Sequence, residues 1–89
     1  MRVKVSITDS HIQNGLQCKA SQCPIALSLG NLGFKKPTVG CETVLIDKDG
    51  KQYGGNLPRT ARQFINRFDG QGREAVKPFS FNLNLEEVI

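Results

Sequence analysis

Apolar and polar residues alternate with period two at the amino end of the chain, Val3, Val5 and Ile7 against Arg2, Lys4 and Ser6. That alternation predicts a strand over residues 2–7 with one buried face. Thr8, Asp9 and Ser10 carry side chains that accept hydrogen bonds from the free amides of a first helical turn. A short helix over 11–14, ended by Gly15, is expected there. A loop holding Cys18 follows. Ser21 or Cys23 then caps a second helical segment with Pro24 in its first turn, where the missing amide hydrogen costs nothing. Ile25, Ala26, Leu29 and Leu32 fall at helical spacing, and Gly30 to Gly33 close the segment.

Lys35-Lys36-Pro37 reads as a turn. From Thr38 to Ile46 a strand is expected, with Val39, Cys41, Thr43 and Leu45 on one face and Glu42, Val44 and Ile46 on the other. Asp47-Lys48-Asp49-Gly50 is a hairpin signal, because Asp-Gly supports the positive dihedrals of tight connections. A short return strand over 51–54 follows. Leu57-Pro58 opens the clearest helix, with Ala61, Phe64, Ile65 and Phe68 at i, i+3, i+4 and i+7, and residues 69–72 stop it. Phe79, Phe81, Leu83 and Leu85 alternate with polar residues in a last strand.

The resulting order, β-α-β-β-α-β, suits an α+β domain with a four-stranded, mostly antiparallel sheet and both helices on one face, as in the ferredoxin-like arrangement. Gly54-Gly55 weakens the third strand, which leaves a three-stranded sheet with an irregular edge as the alternative. The 89 residues suffice for one domain, 1–89, with a modest core.

Charge narrows the partners. Twelve Lys and Arg against eight Asp and Glu leave a net charge of +4, which favours phosphates of nucleotides or nucleic acids. No apolar run approaches the ~20 residues of a membrane span. The first residues lack the continuous apolar segment of a secretory signal, so no membrane partner and a cytoplasmic location are expected, in the host cell if the chain is phage-encoded. Three cysteines make an odd count, which argues for reduced thiols rather than a disulfide framework.

Four constellations carry candidate chemistry. Cys23 at a helix amino terminus is expected to have a lowered thiol pKa, and His11 is the one histidine available as its base, as a cysteine-dependent hydrolase requires. The bland reading makes both packing residues. His11, Cys18, Cys23 and Cys41 are four groups of the types zinc prefers, but their spacings match no paired-knuckle pattern, and Cys41 alternates onto a core face. No metal and no cofactor are expected. Arg59, Arg62 and Asn66 lie on the solvent side of the clearest helix, with Lys35, Lys36 and Arg73 in loops; guanidinium groups bind phosphate in bidentate fashion. Gly54-Gly55-Asn56 offers backbone amides to an anion but lacks the Lys-Ser/Thr of a phosphate loop. Outside expected core positions only Tyr53 and Phe34 are available to stack on bases. No Gly-x-Ser-x-Gly or His-Glu-x-x-His occurs, so an enzyme is not the expected class.

His11-Ile12-x-x-Gly15, Cys23-Pro24-Ile25-Ala26-Leu27, Leu57-Pro58, Phe64-Ile65-x-x-Phe68-Asp69 and Pro78-Phe79-x-Phe81 together resemble a family of short uncharacterised bacterial and phage proteins with a His-Ile-x-x-Gly and Cys-Pro-Ile/Val-Ala pattern. The resemblance covers nearly the whole chain and brings no established activity. This chain has Ser28 where the pattern usually has Ala, and Cys18 stands farther from Cys23 than in paired-cysteine versions. What the resemblance implies is an accessory factor of a phage or mobile element, acting by binding to counter or modulate a host defence system, with a homo-oligomer among the expected states. The ligand-binding residues expected are His11, Cys23, Arg59, Arg62 and Arg73, on a nucleotide signal or a nucleic acid. The alternatives are a protein-binding inhibitor of a host protein or RNA–protein complex, and the hydrolase.

Overall fold

The computed structural model describes residues 1–89. β1 (Arg2–Ile7) buries Val5 and Ile7 and runs antiparallel to β5 (Phe79–Asn84), pairing Val3 with Leu83, Val5 with Phe81 and Ile7 with Phe79. The two period-two patterns read at opposite ends of the sequence are therefore partners. Beyond the ladder, Met1 and Leu85 exchange backbone hydrogen bonds of 2.8 and 2.7 Å.

α1 (Asp9–Asn14) and α2 (Pro24–Asn31) follow β1. α1 opens with a capping box: Thr8 Oγ1 accepts from the His11 amide at 3.3 Å, and the Thr8 amide donates to His11 Nδ1 at 3.0 Å. Cys23 caps α2 with Pro24 in its first turn. Gly15 ends α1 in an extended conformation, and its missing side chain is a packing requirement, since a Cβ there would collide with the Pro24 ring. Ser28 Oγ donates to the Ser6 carbonyl at 2.8 Å and ties α2 to β1. Leu32 is half exposed, outside the core its helical spacing suggested.

The middle of the chain departs most from expectation. The residues expected to form one strand, 38–46, form a hairpin of β2 (Lys35–Val39) and β3 (Thr43–Lys48), joined through Gly40, Cys41 and Glu42. The reversal breaks the alternation, so Val39, Val44 and Ile46 are buried while Cys41 and Leu45 are exposed. Cys41 is thus not a core residue. Lys35-Lys36-Pro37 belongs to β2, but its turn character survives as a register shift, with Lys36 at φ 50°. The Asp49-Gly50 turn is as expected: both residues have positive φ, 53° and 77°, and connect β3 to β4 (Lys51–Asn56).

α3 (Arg59–Gln71) buries Ala61, Phe64, Ile65 and Phe68 and runs through Asp69 and Gly70 before Gly72, at φ 91°, turns the chain. A 3₁₀ turn (Arg73–Ala75) and an extended stretch lead back to β5. β6 (Glu86–Glu87) then pairs with β4. There are consequently two antiparallel sheets, β1-β5 and β2-β3-β4-β6, where one four-stranded sheet was expected. The physical reason is Leu85: the last alternating segment changes sheets there, pairing with β1 before it and β4 after it. The α+β class with antiparallel pairing holds. One cluster of 19 buried residues takes side chains from both sheets and all three helices, so the whole chain shares a core.

Candidate functional site

α3 determines the geometry of the site because its apolar stripe fixes which side chains remain outside. With Ala61, Phe64, Ile65 and Phe68 turned inward, Arg59, Arg62, Gln63, Asn66 and Arg67 are exposed. The Leu57 amide donates to the Glu42 carbonyl at 2.8 Å, which lays the β2–β3 connection beside the start of the helix. Arg59, Arg62, Gln63 and Asn66 then share one depression of about 420 Å³ with Cys41 and Glu42.

Positive charge gathers at this end of α3. The N-cap is Pro58, which makes no side-chain hydrogen bond, and the first turn has no acidic residue. The first helical hydrogen bond runs from the Arg62 amide to the Pro58 carbonyl at 3.0 Å, so the amides of Arg59, Thr60 and Ala61 precede the ladder. Arginines at a helix amino terminus oppose the macrodipole. The chain's one ion pair, Lys51 with Glu87 at 3.3 Å, lies elsewhere, leaving both guanidinium groups without a carboxylate partner. Glu42 is the single acid lining the depression against two arginines.

The other residues expected at the site fall elsewhere. Arg73 lines a separate depression with Gln17, Gln71 and Glu74 past the far end of α3, twelve residues or about 18 Å of helix from Arg59. His11 is buried, with Nδ1 accepting the Thr8 amide and Nε2 2.7 Å from the Asn31 side-chain amide. Burial lowers its pKa. Asn31 ends α2 and Cys23 begins it, about 12 Å apart along the helix. His11 and Cys23 therefore stand at opposite ends of α2 and do not form a base–nucleophile pair. Burial also raises the Cys23 thiol pKa, outweighing the helix-terminal amides expected to lower it; the Ala26 amide donates to Sγ at 3.5 Å.

All three cysteines line one mostly apolar cavity of about 290 Å³, together with Val39, Ile65 and Asp69. Hydrogen bonds explain this convergence. The Cys18 amide donates to Asp69 Oδ1 at 3.0 Å, Gln17 Nε2 donates to the Phe68 carbonyl at 2.9 Å, and the Val39 amide donates to the Ala20 carbonyl at 2.8 Å. The loop is stitched to α3 and β2. The thiols are free, and no group of three His, Cys, Asp or Glu side chains stands where it would hold a metal ion.

On the other flank of α3, Arg67 meets Lys77, Pro78 and Phe79 in a groove that also includes Gln63. The sequence pattern marks Phe79 as a strand residue and Pro78-Phe79 as part of a motif, and gives Gln63, Arg67 and Lys77 no role. Arg67 follows Gln63 at i+4, a signal that helical spacing contains, whereas the approach of Lys77 and Phe79 depends on the Gly72 turn and left no local pattern. No helix is long and apolar enough to cross a membrane. Comparisons with protein-family models, curated proteins and solved structures found no match.

Proposed function

We propose that this chain is a non-enzymatic binding protein that holds an anionic ligand, a nucleotide or a nucleic-acid phosphate, on the arginine face of α3. The observation that carries the reading is the placement of Arg59 and Arg62, neither ion-paired, beside a helix start with no capping side chain and no acid in its first turn. Guanidinium forks match phosphate oxygens in bidentate geometry, and the dipole that Arg59 and Arg62 oppose in the free protein is complemented when an anion binds. The resemblance to short bacterial and phage proteins supports the further proposal of an accessory factor that sequesters such a ligand from a host defence system.

Isothermal titration with pyrophosphate tests the site. Arg59→Ala/Arg62→Ala is expected to weaken binding by about tenfold or more, since each charge-assisted hydrogen bond contributes ~1.5–3 kcal/mol. Glu42→Gln is expected to tighten it by removing the opposing carboxylate. Unchanged affinity in the double variant refutes the proposal.

A further inference from the structure

The groove on the second flank of α3 differs in chemistry from four other depressions of the surface. Gly72 and the 3₁₀ turn bring the extended stretch before β5 back along the helix, so that Val76, Pro78 and Phe79 face Phe64. The Phe79 ring packs against two others, its centroid 4.9 Å from that of Phe64 at an interplanar angle of 33° and 5.5 Å from that of Phe81 at 25°. Phe64 is buried, but Phe79 is only half-buried although it opens a core strand. Its ring thus joins the core while still lining a groove of about 410 Å³, a size usual for small-molecule sites.

Two cations, Arg67 and Lys77, are the only charged side chains lining this groove, and both are exposed. Thr60 and Gln63 supply neutral hydrogen-bonding groups. The other depressions lack this combination: the one over Gly54 and Gly55 has Glu86 and no cation, and the one beside Arg73 has Glu74. Gln63 lines both the groove and the Arg59–Arg62 depression, so the two adjoin across one side chain.

An aromatic and proline wall beside a wholly cationic charge set suits a ligand with a flat apolar part and an anionic part. We infer that this groove takes a nucleoside 5′-phosphate unit, its base against Phe79 and Pro78 and its phosphate at Arg67 and Lys77. Pro78 and the part of Phe79 that lines the groove give the base an apolar wall, and the guanidinium and ammonium groups supply the counter-charge. A nucleotide with more than one phosphate, or a strand, extends past Gln63 to Arg59 and Arg62. The inference rests on the anion-binding reading above and adds to it the class of ligand. The same unit occurs in a free nucleotide and in a single strand.

Titrations of adenosine 5′-monophosphate, ribose 5-phosphate and a short oligoadenylate, with circular dichroism confirming the fold of each variant, test it. The wild-type protein is expected to prefer adenosine 5′-monophosphate over ribose 5-phosphate by about tenfold, because ribose 5-phosphate has no base to bury against Pro78 and Phe79. Phe79→Leu, which keeps an apolar side chain in the core, is expected to abolish that preference. Lys77→Glu, at an exposed position with no load on folding, is expected to weaken both ligands by about tenfold. Tighter binding of oligoadenylate with steep salt dependence identifies a strand as the source; equal or weaker binding identifies a free nucleotide; both support the site.

Equal affinity for adenosine 5′-monophosphate and ribose 5-phosphate, absence of binding, or a Phe79→Leu variant that keeps the preference overturns the inference. Pyrophosphate binding to Arg59→Ala/Arg62→Ala reads the parent proposal separately. If that pair matters while Lys77→Glu and Phe79→Leu do not, the groove alone fails.

Discussion

His11 shows how a residue that looks chemical serves the scaffold. Its Nδ1 accepts the Thr8 amide within the capping box, and an imidazolium, which carries a proton on both nitrogens, cannot do so. Burial holds its pKa below the ordinary value of about 6.5. Between the two values the unfolded chain binds a proton that the folded chain does not, so this stabilisation is present above about pH 6.5 and is lost as pH falls through the folded pKa. Chemical denaturation of wild type and His11→Gln between about pH 7.5 and 5 is expected to give a steeper loss in the wild type; identical slopes refute the assignment. The same scaffold logic covers the other half of the motif. Cys23 caps α2, and Gly15 lets Pro24 approach, so the His-Ile-x-x-Gly and Cys-Pro segments meet as two packed helix ends. In sequence alone such a pair cannot be told from a catalytic one, because linear spacing does not report that α2 holds His11 and Cys23 apart.

At the level of elements, the proposed function falls on α3, whose amino terminus is poorly suited to stability alone. An acidic residue in a first turn contributes ~0.3–1 kcal/mol through the macrodipole, yet α3 has none there and has Arg59 and Arg62 instead. Thr60→Glu is accordingly expected to raise thermal stability slightly while weakening pyrophosphate binding several-fold. A gain in both would contradict the role given to this helix end. The helix and its arginines were legible because Ala61, Phe64, Ile65 and Phe68 define the inner face without ambiguity. The hairpin at Asp49-Gly50 was legible from turn chemistry. The β2–β3 hairpin was not: Val39 and Val44 sit opposite each other across Gly40–Thr43, and the polar run between them keeps a period-two appearance through the reversal. The second cationic groove was also invisible, since it is assembled from segments that meet only after the turn at Gly72.

For the molecule as a whole, the division into two sheets depends on one crossing. Near Leu85 the last segment leaves β1 for β4, and Gly55 lies so close to Asn84 that a Cβ would collide with the Asn84 carbonyl oxygen. Backbone atoms cannot yield as a side-chain tip does, so Gly55→Ala is expected to destabilise the fold by ~1–3 kcal/mol. Gly70→Ala, in α3 with open space around it, is expected to be neutral or stabilising. Equal denaturation midpoints for the wild type and Gly55→Ala would show that the crossing is looser than its geometry indicates. Alternating hydrophobicity predicts the last strand, and the Asp49-Gly50 turn the return strand beside it, but neither says which partners they take, because a buried face does not specify its neighbour. The crossing and the turn at Gly72 shape a single core against which α3 presents its arginines, in a chain of net charge +4. The most direct measurement of that account is an amide chemical-shift titration of the labelled protein with adenosine 5′-monophosphate. Shifts concentrated at residues 59–67 and 75–79 are expected, and shifts absent there, or centred on His11 and Cys23, would contradict it.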